Sequence, residues 1–185
     1  SASIRWFGAE LSNFLASTRP FLNLPIFSEI AQFEWALRHT VDAAHAERID
    51  AASLQALDAE QWTALRCAWH PSLTLLHFNW NATQVWQTLI DGEEPPSPTS
   101  FASYWLVYRR NDLVSEWRSA DAYEAECIQL WQRGENFGDI CECLAQKIGD
   151  ADSAVATAAS FMRTWVEQGL LINPGTEESK NVCGD

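Results

Sequence analysis

The chain has 185 residues, of which 47% are apolar, and a formal net charge of −13 from 12 basic and 25 acidic residues. This length allows one domain of ordinary size or two small ones, with enough apolar residues for a hydrophobic core. The acidic balance disfavours nucleic acid as a partner, because neutralisation of phosphates by cations supplies most of the affinity.

No apolar run approaches the length of a membrane span, and residues 1–15 lack the continuous apolar stretch of a signal peptide. The five cysteines are odd in number and follow no disulfide or zinc-ligand spacing. We therefore expect a cytoplasmic protein with reduced thiols and no membrane association.

Helical patterns fill residues 1–64, which we predict to be a helical N-terminal region. Ser1–Thr18 reads as a short helix, and apolar residues at helical spacing from Ile26 to Ala44 predict the longest helix of the chain. Asp50 and Asp58 each resemble a helix cap, so two short helices are expected over residues 51–57 and 59–64.

The apolar period then changes to two, which is typical of β-strands. It predicts a strand over Leu65–Trp69 and another over Leu73–Trp80, followed by a helix capped by Asn81. The segment Asp91–Ser100 has three prolines and no large apolar residue, so we predict a mobile loop there.

A β-hairpin and three helices complete the pattern. The predicted strands are Tyr104–Arg110 and Leu113–Arg118, joined by a turn at Asn111 and Asp112. Helices are predicted over 121–133, 137–148 and from an Asp150 cap to Gly169, with glycines ending all three. Residues 170–172 read as a closing strand.

The fold class predicted from these elements is α+β. A helical N-terminal region (1–64) precedes a unit of sheet and helices (65–172), and residues 173–185 form a polar, flexible tail. The sheet is predicted to have about four antiparallel strands, since its strands are adjacent in sequence. The hairpin with its helical trio forms a winged-helix-like unit, which either binds DNA through its helices or binds a peptide along a sheet edge.

Catalytic and metal-binding patterns are weak. Cys141 and Cys143 lie two apart on a predicted helix and point in different directions, so they are poorly placed to share a metal. Glycines are isolated, with no phosphate loop and no nucleophile elbow. We expect no catalytic residues, no metal ligands and no cofactor on this chain.

Four segments, in their order and spacing, resemble a known family. They are Leu24–Ala36, His70–Leu76, Val85–Trp86 and Trp105–Arg110. The pattern runs from about Leu22 to Ile172 and is similar to accessory proteins found beside multinuclear-iron enzymes that modify cysteines of ribosomal peptides. These include the methanobactin biosynthesis accessory proteins and their HvfC/BufC-type relatives.

The resemblance implies a non-catalytic subunit. Its partner would be a barrel-shaped iron enzyme that oxidises a peptide cysteine, to an oxazolone and a thioamide in the biosynthesis of the copper chelator methanobactin. The accessory subunit would form a heterodimer with that enzyme and bind the leader part of the precursor peptide. Its C-terminal unit would be similar to PqqD-type peptide-recognition modules, with iron held on the partner.

Two surfaces are candidates for these contacts, and in both the residues could instead be core. An exposed strand edge can accept an extended peptide, and the residues predicted to do so are Leu113, Val114, Ser115, Glu116, Trp117 and Arg118, with Phe161 and Trp165 as an apolar wall. The residues predicted to contact the partner enzyme are Trp69, His70, His77, Asn79, Trp80 and Asn81.

Two alternative functions remain open from the sequence. The first is a winged-helix DNA-binding regulator, whose recognition helix would be 137–148 or 154–168. Those helices carry only Lys147 and Arg163 as cations, against Asp139, Glu142 and Glu167, which disfavours phosphate contact. The second is a scaffold that binds neither peptide nor DNA.

Overall fold

The structure is a computed structural model, and it describes residues 8–173. The helices of this part of the chain are α1 (Leu11–Ser17), α2 (Ile26–Asp42), α3 (Ala51–Gln55), α4 (Ala59–Ala64), α5 (Ala82–Ile90), α6 (Ala122–Gln132), α7 (Phe137–Ile148) and α8 (Ala151–Glu167), with a 3₁₀ turn at Phe21–Asn23. The strands are β1 (Ala68–Trp69), β2 (Thr74–Trp80), β3 (Ser100–Arg109), β4 (Ser115–Ala120) and β5 (Leu171–Ile172). The α+β class is confirmed. The first seven residues of the predicted N-terminal helix, and residues 174–185 of the predicted tail, lie outside the described residues.

The main sheet has three antiparallel strands in the order β2-β3-β4, so β2 and β4 are its edges. Side chains alternate between its two faces. One face, which includes Phe78, Val107 and Trp117, packs against α2 and α5. The other, which includes Leu106 and Tyr108, packs against α6, α7 and α8. The sheet is therefore the middle layer between two hydrophobic cores.

The predicted four-stranded sheet is replaced by two separate sheets. Strand β1 does not join β2; it pairs with β5 through Ala68–Ile172 and Trp69–Leu171. The predicted strand from Leu65 shortens to two residues. The two-residue pairing joins segments about a hundred positions apart and leaves no local signal, which is why the strand from Leu65 was expected in the main sheet.

Helix ends in the C-terminal trio follow their capping residues. Asp121, Asn136 and Asp150 each accept a hydrogen bond from the backbone N–H three residues later. Helix α7 ends at Gly149, whose φ of +80° is the left-handed conformation that glycine adopts readily. The trio predicted from the sequence is thus confirmed in position and length.

Asn81 caps α5 as predicted but uses its side chain elsewhere. The Oδ1 atom accepts the Thr99 N–H at 2.8 Å, and Nδ2 donates to the Ser97 carbonyl at 3.2 Å. These bonds hold the end of the proline-rich loop, residues 91–99, beside α5. The predicted mobility of this loop stays a prediction, while its attachment at Asn81 fixes where β3 begins.

Arg109 also differs from its expected place. Arg109 and Arg110 end the strand next to the predicted hairpin turn, where charged residues are commonly solvated, but Arg109 is only 5% exposed. Its guanidinium donates to the carbonyls of Thr40, Ala43 and Ala44 at 2.9–3.1 Å. It thereby satisfies the carbonyls at the C-terminal end of α2.

Candidate functional site

The hairpin turn sets which backbone groups of β4 face outward. The Arg110 N–H donates to the Val114 carbonyl at 2.9 Å, and the Leu113 N–H donates to the Arg110 carbonyl at 3.1 Å. Leu113 has a φ of +67° and occupies the bulge position of a three-residue hairpin loop. From this start, antiparallel pairs alternate between bonded and non-bonded. Residues 116, 118 and 120 therefore bond to β3, whereas the N–H and C=O groups of Ser115, Trp117 and Ser119 point away from the sheet.

No strand pairs with this outer side of β4 in the part of the chain that the structure describes. The side of Ser119 is partly covered, because Arg118 Nη1 donates to its carbonyl at 3.1 Å. Ser115 and Trp117 thus present the open part of the edge, which is the arrangement required for adding an extended peptide strand.

The opposite edge, on β2, is blocked at its C-terminal end. The buried carboxylate of Glu29, on α2, accepts the N–H of Asn79 at 2.7 Å and that of Trp80 at 3.0 Å. These two donors lie at an irregularity in the β2–β3 register. A carboxylate that occupies edge donors prevents another strand from pairing there. In the described residues, β4 therefore has an open edge at Ser115 and Trp117, and β2 is closed only at its C-terminal end.

Trp117 connects this edge to the core under the sheet. Its ring lies 5.1 Å from Phe33, 5.2 Å from Trp105 and 6.2 Å from Trp86, measured between centroids. The side chain is half-buried, so part of the ring faces solvent. One residue thus contributes both open backbone groups and an accessible aromatic surface.

A groove of about 570 Å³ begins at Trp117 and runs between α5 and the start of β3. One wall is aromatic, with Phe101, Trp105 and Trp117; the other is polar, with Gln84, Gln87 and Thr88 of α5. Phe101 is 61% exposed. The groove was not predicted, because the strand was expected to begin at Tyr104 and Phe101 was left outside it. The period-two spacing of Phe101, Ser103, Trp105 and Val107 was the signal that could have revealed it.

Arg118 faces the other side of β4. It donates to both carboxylate oxygens of Glu124, at 2.8 and 2.6 Å, and to the side chain of Gln168. Hydrogen bonds to Glu124 raise the pKa of Arg118 despite its partial burial. The ion pair fastens the edge strand to α6 and α8.

The predicted peptide-binding residues separate into three groups. Leu113 and Val114 are exposed but lie in the turn before β4. Ser115 to Arg118 form the edge strand itself. Phe161 and Trp165 stack on each other at 6.0 Å, and Trp165 is 1% exposed and donates its Nε1–H to Glu124. Trp165 therefore belongs to the core instead of forming an accessible wall, because its indole N–H finds a buried acceptor there.

The residues predicted to contact a partner enzyme also divide. His77 and Asn79 are exposed, and the His77 ring stacks on Tyr104 at 4.7 Å. Trp80 is half-buried. His70 is 2% exposed, Asn81 is buried, and Trp69 packs against Trp131 and Trp165. Only His77 and Asn79 of this set are exposed enough to contact a partner without rearrangement.

Metal and phosphate contacts find little support in the described residues. Between residues 8 and 173, no group of three or more His, Cys, Asp or Glu side chains could hold a metal ion. Lys147, one of the two cations on the helices considered for DNA binding, forms an ion pair with Glu126 at 2.6 Å. No helix in the same stretch is both long and apolar enough to cross a membrane.

Comparisons with known proteins assign no family. No family model matches this chain, and no curated protein matches it. The open edge of β4 and the groove between α5 and β3 are the structural features that bear on function.

Proposed function

We propose that this chain is a peptide-binding, non-catalytic subunit that pairs an extended segment of a ribosomally made precursor peptide with β4. The observation that carries the proposal is the open edge of β4 beside an aromatic groove. Ser115 and Trp117 leave their outward backbone groups without a paired strand in the described residues, whereas Glu29 occupies the donors at the end of β2. Exposed edges are normally shielded, so an edge left open beside an aromatic groove suits a binding role.

Backbone hydrogen bonds supply only part of the affinity in this mode of binding. A guest strand paired with Ser115 and Trp117 forms up to about four backbone hydrogen bonds, each contributing roughly 0.5–1.5 kcal/mol net. That sum alone gives weak, sequence-independent binding. Affinity and selectivity then depend on the side chains of the guest, as in other complexes formed by strand addition.

The reaction itself is assigned to a partner. By its resemblance to the accessory proteins of multinuclear-iron enzymes, this chain forms a heterodimer with a barrel-type iron enzyme that modifies cysteines of the precursor. The bound segment is the leader, and the iron lies on the partner subunit. His77 and Asn79 are the exposed members of the predicted partner surface.

The test of the peptide role uses proline at outward-facing positions. Ser115→Pro and Ser119→Pro each remove an outward N–H without touching the bonds from β4 to β3, and proline is tolerated on edge strands for this reason. His77→Pro is the matched control, since His77 lies at an outward position of the other edge. Calorimetric titration with the leader segment of a candidate cysteine-containing precursor peptide should show about tenfold weaker binding for the β4 variants, and unchanged binding for the control.

The test of the partner role is reconstitution. The chain is co-expressed with a candidate barrel-type iron protein and a cysteine-containing precursor, and the mass of the precursor is measured. Modification should require both proteins, and the β4 proline variants should reduce it. Full modification without this chain, or equal leader binding by all three proline variants, would overturn the proposal.

A further inference from the structure

The groove between α5 and β3 carries no charge on any of the residues that line it. This is unusual in a chain with 20% charged residues and a net charge of −13. A charged side chain entering the groove would lose water without gaining a counter-ion, which is unfavourable. An apolar or aromatic side chain would instead gain contact with Phe101, Trp105 and Trp117.

The groove is also continuous with the open edge. Trp117 supplies outward backbone groups and also lines the groove. It pairs with Val107, which lies two residues from Trp105 on β3, so Trp117 and Trp105 lie on the same face of the sheet. In a paired strand, the residue opposite Trp117 projects from this same face, and so do its neighbours two positions away. The residues between them project toward Glu116 and Arg118, where the surface is charged.

We infer that the groove is the specificity site for the guest strand and that it selects an uncharged apolar or aromatic side chain within an alternating pattern. This inference rests on the proposed function. It concerns which peptide sequences bind. The groove lies on one face of the sheet, and Phe161 and Trp165 pack on the opposite face.

Gln87 offers a way to change the selection. It lies on the polar wall, and its Nε2 donates to Asp91 at 2.9 Å at the end of α5. Replacing its neutral amide by a carboxylate removes this bond and places a second negative charge beside Asp91, an arrangement that attracts a cation, with little change in side-chain size. Gln87→Glu should therefore favour basic guest side chains, while Gln146→Glu, on the exposed surface of α7, adds the same charge elsewhere and serves as the control.

The experiment selects binders from a phage-displayed library of random twelve-residue peptides on the wild-type chain. Binders should carry uncharged apolar or aromatic residues at alternate positions. A synthetic copy of the best binder is then titrated by tryptophan fluorescence. Replacing its most selected apolar residue by Lys should weaken binding to wild type about tenfold or more, and Gln87→Glu should recover most of this loss.

The possible outcomes distinguish a failure of the groove assignment from a failure of strand addition. Binders that are lost with Ser115→Pro, but whose residue preference does not change in Gln87→Glu relative to Gln146→Glu, overturn the groove assignment and leave strand addition in place. Binders that are unaffected by Ser115→Pro, or a library that yields none, overturn strand addition itself.

Discussion

Arg118 and Glu124 form a two-point ion pair, with N–O distances of 2.8 and 2.6 Å, between the edge strand β4 and helix α6. Glu124 is 4% exposed and also accepts the indole N–H of Trp165 at 2.8 Å. Through Ser119, the same guanidinium covers one end of the open edge. The pair therefore determines both the stability of β4 and how much of its edge is accessible.

Removing Arg118 should destabilise the protein strongly. Arg118→Met leaves the buried Glu124 carboxylate without a counter-ion, and we expect a loss of roughly 3 kcal/mol in the free energy of unfolding. The double variant Arg118→Met/Glu124→Gln also removes the unpaired negative charge of Glu124 and should recover more than half of this loss. Urea unfolding of Arg118→Met, Glu124→Gln and the double variant measures the coupling energy between the two side chains. A double variant as unstable as Arg118→Met alone would contradict this account.

Stability should depend on pH through His70. Burial lowers its pKa from 6.5 to about 4, and the nearby Arg48 and Arg109 add to the effect. Because the folded pKa lies below the unfolded one, the unfolded chain binds more protons between these values. The contribution is complete above about pH 6.5 and is lost as the pH falls toward 4, by at most roughly 3 kcal/mol.

The measurement compares wild type with His70→Gln by urea unfolding at about pH 7.5 and about pH 4.5. The stability difference between them should shrink by roughly 2–3 kcal/mol at the lower pH. Ile140→Val, a buried change without a titrating group, should cost about 1 kcal/mol at both values. An equal pH dependence in wild type and His70→Gln would rule out His70 as the source.

Lysine should not replace Arg109. The planar guanidinium reaches carbonyls at Thr40, Ala43 and Ala44 together, which a lysine ammonium cannot do. We expect Arg109→Lys to lower the free energy of unfolding by about 1–3 kcal/mol. Arg110→Lys is the control, because Arg110 is exposed and its pair with Asp112 contributes about 0–1 kcal/mol. Similar losses in both variants would show that the contacts at the end of α2 are unimportant.

Gly138 should resist substitution although it lies within a helix. A Cβ added there would meet Thr63 Cγ2 at 2.7 Å and the Thr63 carbonyl at 3.1 Å. Gly138→Ala should therefore cost about 1–3 kcal/mol, despite the better helix propensity of alanine. Thr63→Ser removes the closest atom and should recover part of the loss in the double variant.

Gly149→Ala separates steric from backbone effects. No atom lies within 4 Å of its added Cβ, but its φ is +80°. The expected cost is about 1–2 kcal/mol and should not respond to Thr63→Ser. Thermal unfolding of Thr63→Ser, the two glycine variants and their two double variants decides the point, and an equal response of both glycine variants would refute the contact with Thr63.

Local signals were sufficient for the helices of the C-terminal trio. Asp121, Asn136 and Asp150 each bond to a backbone N–H three residues away, and Gly149 accepts a positive φ without steric cost. Such interactions involve neighbours in sequence, so residue type and spacing identify them. The strand Thr74–Trp80 was predictable because every second residue faces the same side of the sheet: Leu76 and Phe78 pack in one core and Leu75 in the other.

Long-range relationships could not be predicted in this way. Arg109 and Arg110 are adjacent and identical in type, yet one is buried against the end of α2 and the other is exposed. Trp165 and Trp117 are both tryptophans predicted at one site, yet one is core and the other is half-exposed. In each case, packing against an element distant in sequence decides the environment.

The sequence by itself therefore determined the α+β class, the acidic surface and the helix ends, because composition and near-neighbour hydrogen bonds determine these properties. The tertiary structure alone decided that β1 leaves the main sheet, that Glu29 occupies the end of the β2 edge, and that no strand of the described residues pairs with the outer side of β4 beside the uncharged groove. Those features depend on which backbone donors find partners far along the chain. Their partners are settled only when both cores have packed against the sheet.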